Sequence, residues 1–141
     1  NVGMFDTAVE DMGKVFVSTE LGGGGTSTAR SIAIAKKGAR NLLIHAGILK
    51  ATPDYAPSIT LDMPDESCFL FSRDDGLIEP MHDLGATVTK GDLLAQVWPM
   101  DRTGVAPTAY HARRDGLLVA RHFPGLVKAG DCMAVLADVT G

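Results

Sequence analysis

The carboxy-terminal half of the sequence repeats itself, and this repeat restricts the fold more than any other feature of the chain. The two copies span residues 76–97 and 116–136. Three blocks match, the first two at an offset of 40 residues and the third at an offset of 39: Gly76-Leu77-Ile78 with Gly116-Leu117-Leu118, Leu84-Gly85 with Pro124-Gly125, and 88–97 with 127–136. Each copy contains a strand, a turn and another strand, which predicts two related β-hairpin units that close on each other.

The pattern Val-x-x-Gly-Asp occurs in both copies, at 88–92 and at 127–131. Its glycine suits a tight turn because glycine adopts positive φ, and its aspartate can bond to nearby backbone N–H groups. Chance similarity between turn-rich strands is the competing interpretation. Short strand candidates separated by Gly, Pro and Asp turns make this half all-β: 58–63, 68–72, 76–80, 92–98, 110–112, 116–122 and 132–139.

The amino-terminal half has a different character. Apolar residues at helical spacing predict a helix over 5–12 and a longer one over 29–49, in which Gly38 is a possible interruption. The apolar run at 15–17 predicts a buried strand over 15–19. Residues 51–57 carry two prolines and are predicted to link the two halves.

One candidate site lies between that strand and the long helix. Glu20 follows the strand, the four glycines 22–25 come next, and Thr26, Ser27 and Thr28 are placed to cap the helix. Open α/β sheets bind ligands at such junctions. The competing interpretation is a solvated loop glutamate, since neither a Gly-x-Gly-x-x-Gly fingerprint nor a P-loop is present.

Composition excludes several classes of protein. The net charge of −4, without a basic stripe, argues against nucleic-acid binding. Two cysteines are too few for a disulfide framework and lie in no metal-binding spacing, which favours a cytoplasmic protein. No apolar run is long enough to span a membrane, and no signal peptide is present. The first residue is not Met, which indicates a fragment or a processed product.

The repeat resembles the barrel-sandwich hybrid fold of biotinyl and lipoyl carrier domains. Carriers of this type attach their cofactor to a lysine at the hairpin tip between the two halves. The corresponding tip, 98–104, contains no lysine, so a carrier function is disfavoured while the fold is kept.

Both halves together resemble the succinylglutamate desuccinylase and aspartoacylase family. The resemblance rests on a strand ending in Glu-Leu-Gly, the helix after it, Gly-Leu-Ile-Glu-Pro at 76–80, Lys-Gly-Asp at 90–92, and 121–127. Residues 18–49 look most like the branch that includes the N-acetyl-diaminobutyrate deacetylases of ectoine breakdown. The family hydrolyses amide bonds of N-acylated amino acids.

The resemblance implies an α+β fragment in three parts. Residues 1–50 are the end of an α/β zinc-hydrolase domain, 51–57 are a linker, and 58–141 are an all-β barrel-sandwich hybrid domain. Glu20 matches the catalytic glutamate of the family's Glu-x-Gly motif, whose implied role is general base toward water and then general acid toward the leaving amine. The implied partner is a small N-acyl amino acid, and a homo-oligomer is possible.

The family's zinc ligands, a His-x-x-Glu pair and a later His, lie upstream of the Glu-x-Gly strand. None of the four histidines here fits that pattern: His45, His82, His111 and His122. The resemblance therefore implies a zinc-dependent enzyme at full length and a polypeptide that by itself binds no catalytic zinc and does not turn over. No arginine of the chain is assigned to substrate. The alternative function is a non-catalytic β module that shapes a substrate entrance or an oligomer interface.

The remaining candidates have simpler explanations. His45 is expected to pack on the apolar face of the long helix. The other three histidines are expected at the surface or in turns, and as a metal trio they would have to converge. Trp98 and Tyr110 are candidates either for a pocket rim or for the core.

Overall fold

The structure is a computed structural model that describes residues 3–123 and 125–141, in two units divided between Tyr55 and Ala56. Pro124, which the sequence repeat matches with Leu84, lies outside the described residues. The first unit is helical, and the second consists of short antiparallel strands. Within the described parts of the chain, no helix is both long enough and apolar enough to cross a membrane.

Two helices form the first unit, α1 (Phe5–Asp11) and α2 (Ala29–His45). Thr28 caps α2 as the sequence predicts, because its Oγ1 accepts the N–H of Ser31 at 3.0 Å. The Ser31 hydroxyl oxygen accepts the N–H of Thr28 at 2.9 Å in return, which completes a capping box. Two N–H groups that the first helical turn leaves without carbonyl partners are thereby satisfied.

The second helix ends four residues earlier than the sequence predicts. Gly47 has a φ of 73°, and its N–H donates to the carbonyl of Ile44, while the N–H of Ile48 donates to Leu43. This pair of bonds is a Schellman motif, which terminates a helix at a glycine that can adopt positive φ. Gly38, by contrast, lies inside the helix and does not interrupt it.

The predicted strand over 15–19 is not formed. The backbone there makes no strand pairing with any described residue, and Val15 is 92% exposed. A strand needs a neighbouring strand for its backbone hydrogen bonds, and no described residue of the first unit lies in a strand. Phe16 instead packs edge-on against Phe5, with ring centroids 5.6 Å apart.

Side chains in the second half of α2 bind Asp54, in the segment that follows the helix. The Asn41 side chain donates to the Asp54 carbonyl at 2.8 Å and accepts the Asp54 N–H at 3.0 Å. Lys37 adds an ion pair of 2.9 Å with the Asp54 carboxylate. Asp54 therefore belongs to the helical unit, although the sequence suggests a free linker at this position.

The described residues of the second unit form nine strands, with a short 3₁₀ helix (Glu66–Cys68) before the second of them: β1 (Leu61–Asp62), β2 (Phe69–Phe71), β3 (Gly76–Pro80), β4 (Thr87–Val88), β5 (Leu93–Trp98), β6 (Thr108–His111), β7 (Gly116–Arg121), β8 (Leu126–Val127) and β9 (Cys132–Val139). One sheet has the order β1-β9-β7-β4, with β2 also paired to β9, and the other has the order β6-β5-β3-β8. All pairings are antiparallel. The sequence predicts β3 and β9 to the residue but misses the two-residue strands β4 and β8.

The two copies of the repeat make equivalent pairings and exchange their short strands. Gly76 of β3 pairs with Val127 of β8, and Gly116 of β7 pairs with Val88 of β4. Each short strand therefore pairs with the long strand of the other copy. Val88 and Val127 are 1% and 2% exposed, so the exchange also places one buried valine from each copy in the core.

The turn chemistry is also repeated. Gly91 and Gly130 have φ angles of 98° and 94°, the positive values that the sequence predicts. Asp92 accepts the N–H of Thr89 at 2.8 Å, and Asp131 accepts the N–H of Lys128 at the same distance. The core of this unit draws on both sheets: Leu70, Val88, Leu94, Val97, Tyr110, Ala112, Leu118, Val127, Met133, Ala134 and Leu136.

Candidate functional site

Glu20 lies in a cleft of about 330 Å³ in the helical unit. The cleft is formed by the segment before the glycine loop and the first two turns of α2: Thr19, Glu20, Leu21, Gly22, Thr26, Thr28, Arg30, Ser31 and Ile34. The Glu20 side chain is exposed and makes no hydrogen bond or ion pair with the described residues. Its carboxylate is therefore accessible to a small molecule that enters the cleft.

The glycine loop determines how Glu20 connects to the helix. Gly22, Gly24 and Gly25 have φ angles of 104°, 66° and 66°, which side chains rarely tolerate. The turn is closed by the Thr26 hydroxyl, which donates to the Gly23 carbonyl at 2.9 Å. The backbone thus favours glycine at three of the four positions, and the loop connects Glu20 to the start of α2, which lines the same cleft.

Arg30 lines the same cleft, and the sequence analysis assigned it no role. It is exposed, lies in the first turn of α2 and forms no hydrogen bond or ion pair with the described residues, Glu20 included. The amino-terminal end of a helix carries partial positive charge, so a cation in the first turn is electrostatically unfavourable there. That position is the sequence signal by which Arg30 could have been found.

The four histidines do not meet at one site, although His82 and His122 line the same small cleft of the β unit. His45 is exposed in the last turn of α2, which corrects the expectation that it packs on an apolar face. Ring nitrogens of His111 and His122 each lie 2.9 Å from a backbone carbonyl oxygen, those of Gly91 and Leu126. Among the described residues, no group of three or more His, Cys, Asp or Glu side chains could hold a metal ion. The described residues therefore do not provide the zinc ligands that the family resemblance implies.

A larger cleft of about 670 Å³ lies in the β unit. It is lined by the turn before β3, the β5–β6 loop and β8: Arg73, Asp74, Asp75, Gly76, Val97, Pro99, Met100, Asp101, Arg102, Val105, Ala106, Thr108, Leu126, Val127 and Lys128. The loop includes residues 98–104, the hairpin tip predicted from the sequence. Here Arg102 pairs with its neighbour Asp101 at 3.4 Å, so the tip presents a local ion pair.

The two aromatic candidates have different environments. Tyr110 is 3% exposed and belongs to the core. Trp98 is 40% exposed, and its indole N–H donates to the Glu79 carboxylate at 2.7 Å. The Tyr110 ring therefore packs in the core of the β unit, while Trp98 lies at its surface.

Comparison with known proteins identifies the family. No family model matches the chain. The N-α-acetyl-L-2,4-diaminobutyric acid deacetylase of Halomonas elongata is 52% identical over 139 residues, which cover 96% of this chain and 40% of the relative. A product-bound structure of the ectoine utilization protein EutE from Ruegeria pomeroyi is 65% identical, with a TM-score of 0.92, over 96% of this chain and 42% of that one.

A succinylglutamate desuccinylase/aspartoacylase structure from Rhodobacter sphaeroides is 29% identical, with a TM-score of 0.91, over 99% of this chain and 44% of that one. The chain belongs to the succinylglutamate desuccinylase/aspartoacylase family. The family resemblance predicted from the sequence is confirmed, as is the diaminobutyrate deacetylase branch. The chain corresponds to the carboxy-terminal portion of its family relatives and spans less than half of their length.

Proposed function

We propose that this chain is the carboxy-terminal portion of a hydrolase that removes the acyl group from an N-acyl amino acid, with N-acetyl-2,4-diaminobutyric acid as the first substrate to test. The observation that supports the proposal most strongly is the 52% identity to a deacetylase of that substrate across 96% of this chain. The cleft that contains Glu20 adds the chemical support, because it presents an accessible carboxylate.

Glu20 is the residue we assign to catalysis. Hydrolysis adds the oxygen of water to the acyl carbon and breaks the bond between that carbon and the amide nitrogen. The Glu20 carboxylate takes a proton from the attacking water and then delivers it to the departing nitrogen, so that a free carboxylic acid and a free amine are formed. An exposed glutamate in a cleft of this size can approach both atoms in turn.

The test requires the full-length protein that contains this segment. Glu20→Gln keeps the shape of the side chain but removes the base, and we expect kcat for acetate release to fall by roughly 100- to 10,000-fold. Glu10→Gln is the matched control, because Glu10 is an exposed glutamate of α1 that does not line the cleft. A folded Glu20→Gln protein with undiminished kcat would exclude the catalytic role of Glu20.

Zinc is the cofactor that we propose for the full-length protein. Its ligands would have to lie outside these 141 residues, because the described residues offer no suitable group. Elemental analysis after dialysis should find zinc in the full-length protein and none in this polypeptide. Stoichiometric zinc in the shorter form would show that the ligands have been placed wrongly.

We also propose that the β unit is a barrel-sandwich hybrid. The support is the equivalent pairing of the two repeat copies, in which the short strands β4 and β8 are exchanged between the two sheets. A crystal structure in which β4 paired with β3, and β8 with β7, would contradict this proposal, because each short strand would then pair within its own copy.

A further inference from the structure

A small cleft of about 20 Å³ in the β unit is lined by strands of both sheets, β3 and β5 from one and β7 and β9 from the other. Most of its lining is apolar. The side chains with nitrogen or sulfur atoms are those of His82, Arg121, His122 and Met133. A cleft of this volume has room for about one water molecule or one metal ion.

Backbone hydrogen bonds hold both histidine segments beside the cleft. The N–H of His122 donates to the carbonyl of Met133 at 2.9 Å. The N–H of Met81, which precedes His82, donates to the carbonyl of Leu94 at the same distance. Met133 is 2% exposed, and both histidines are half-buried. The fold thus brings two imidazoles and one thioether to the same cleft.

The hydrogen bond of the His122 ring determines which of its nitrogens can bind a ligand. Nε2 lies 2.9 Å from the carbonyl oxygen of Leu126, which can only accept, so Nε2 carries a hydrogen. In the neutral ring, Nδ1 then keeps its lone pair. Histidines that bind metal ions usually donate their other ring N–H to a carbonyl, a carboxylate or water. The contact with Leu126 is a hydrogen bond of this kind.

The charges around the cleft favour a monovalent ion. No carboxylate or thiol lines it, and neutral imidazoles and a thioether carry no negative charge. Arg121 adds a positive charge, which its ion pair of 3.1 Å with Asp83 offsets. A divalent ion would bring two positive charges into mostly apolar surroundings, whereas a monovalent ion brings one. Thioether sulfur selects Cu(I), and imidazole also suits copper.

We propose that His82, His122 and Met133 bind one soft monovalent cation, Cu(I), in this cleft. His122 coordinates the ion through Nδ1, and Met133 coordinates it through its sulfur. A search of the sequence for zinc ligands does not find this group, because methionine is not among the usual ligands of zinc. The inference does not rest on the proposed hydrolysis.

The experiment measures binding of Cu(I) to the full-length protein, saturated with zinc and kept free of oxygen, with bicinchoninate as the competing chelator. We expect one Cu(I) per chain, which excess Zn²⁺ does not displace. His82→Gln, His122→Gln and Met133→Leu should each lower the affinity for Cu(I) by at least about tenfold. X-ray absorption at the copper edge should detect a sulfur ligand that is absent in Met133→Leu.

Two matched variants leave the cleft intact. His111→Gln removes a histidine of the same unit whose ring also lies beside a backbone carbonyl, and Met81→Leu removes an exposed methionine next to His82. Neither His111 nor Met81 lines the cleft, so both variants should bind Cu(I) like the unsubstituted protein. Melting temperatures without copper report whether each variant folds. Met133→Leu nearly conserves the volume of a core side chain, so this variant tests the site even if the histidine variants unfold.

Three results would overturn the proposal. The first is no bound Cu(I), or equal affinity in all five variants, which would indicate adventitious binding only. The second is displacement of Cu(I) by an equal concentration of Zn²⁺, because the site would then not select a soft monovalent ion. The third is unchanged affinity in a folded Met133→Leu protein, because the thioether would then not be a ligand.

Discussion

The hydroxyl of Tyr110 donates a hydrogen bond of 2.5 Å to the carboxylate of Asp74, 36 residues earlier in the chain. The same oxygen accepts the N–H of Arg73 at 2.8 Å, and the Arg73 guanidinium lies 5.6 Å from the ring centroid. Leu70 occupies the equivalent position in the other sheet, since Leu70 pairs with Ala134 and Tyr110 with Ala95. This polar contact is therefore specific to one sheet, and it connects the turn before β3 to β6.

Replacing Tyr110 by Phe should destabilise the β unit by about 1–3 kcal/mol, because the N–H of Arg73 and the Asp74 carboxylate each lose a partner while the ring stays buried. The fluorescence of Trp98, the single tryptophan, reports unfolding of this unit in urea. Tyr55→Phe is the control, because Tyr55 is 75% exposed and lies in the helical unit. Equal unfolding midpoints for the two variants would show that the Tyr110 hydroxyl contributes nothing.

The two glycines that begin β3 and β7 should differ in their tolerance of a methyl group. A Cβ added at Gly76 would lie 2.2 Å from the carbonyl oxygen of Trp98, whereas one at Gly116 would lie 3.1 Å from the carbonyl oxygen of Ala137. We expect Gly76→Ala to lower the free energy of unfolding by about 3 kcal/mol and Gly116→Ala by about 1 kcal/mol.

Gly38→Ala is the control for these two variants, because here the added methyl group should not lower stability. Gly38 lies inside α2 with no heavy atom within 4 Å of an added Cβ, and alanine has the higher helix propensity. Circular dichroism should show unchanged or increased helix content for this variant. A larger loss of stability for Gly116→Ala than for Gly76→Ala would contradict the geometry of the two strand starts.

The sequence predicts the long strands closely but misses two of the short ones, β4 and β8. β3 and β9 match their predicted bounds because turn residues flank an apolar run at both ends. β4 and β8 have two residues each, too few to show an alternation of apolar and polar side chains. Only the three-dimensional exchange between the two copies shows that Val88 and Val127 are paired and buried.

The errors in the helical unit have a different cause. The apolar composition of 15–19 predicts a strand, but a strand also requires a partner, and no described residue provides one. The end of α2 was misplaced because the apolar pattern continues beyond Gly47, whose positive φ stops the helix. In both cases, the backbone hydrogen bonds, and not the pattern of apolar side chains, determine whether the element forms and where it ends.

The candidate site was predicted in part. Glu20 and the capping by Thr28 follow from local sequence, because a glycine loop and a helix start are recognisable from residue types alone. The sequence does not predict that Arg30 lines the same cleft, because that depends on how the glycine loop and α2 are placed in the structure. The catalytic role of Glu20 itself stays a prediction.

The contribution of Asp65 to stability should depend on pH. Hydrogen bonds from Ser67, above all, and the charge of Arg114 hold the pKa of the Asp65 carboxyl below its usual value of 3.8. A carboxyl whose pKa is lower in the folded state stabilises the fold above pH 3.8, and this stabilisation is lost as the pH falls through the folded pKa. Asp65→Asn should therefore lower the urea midpoint of the β unit at pH 7, and the difference should shrink below pH 3.8.

Asparagine retains the oxygen that accepts the Ser67 N–H, so this variant removes mainly the charge. The control is Asp62→Asn, in a strand of the same unit, since the Asp62 side chain forms no hydrogen bond or ion pair with the described residues. Urea titrations of the three proteins at several pH values, followed by Trp98 fluorescence, measure the effect. A midpoint difference for Asp65→Asn that stayed constant from pH 7 to below the folded pKa would show that the Asp65 charge is not coupled to folding.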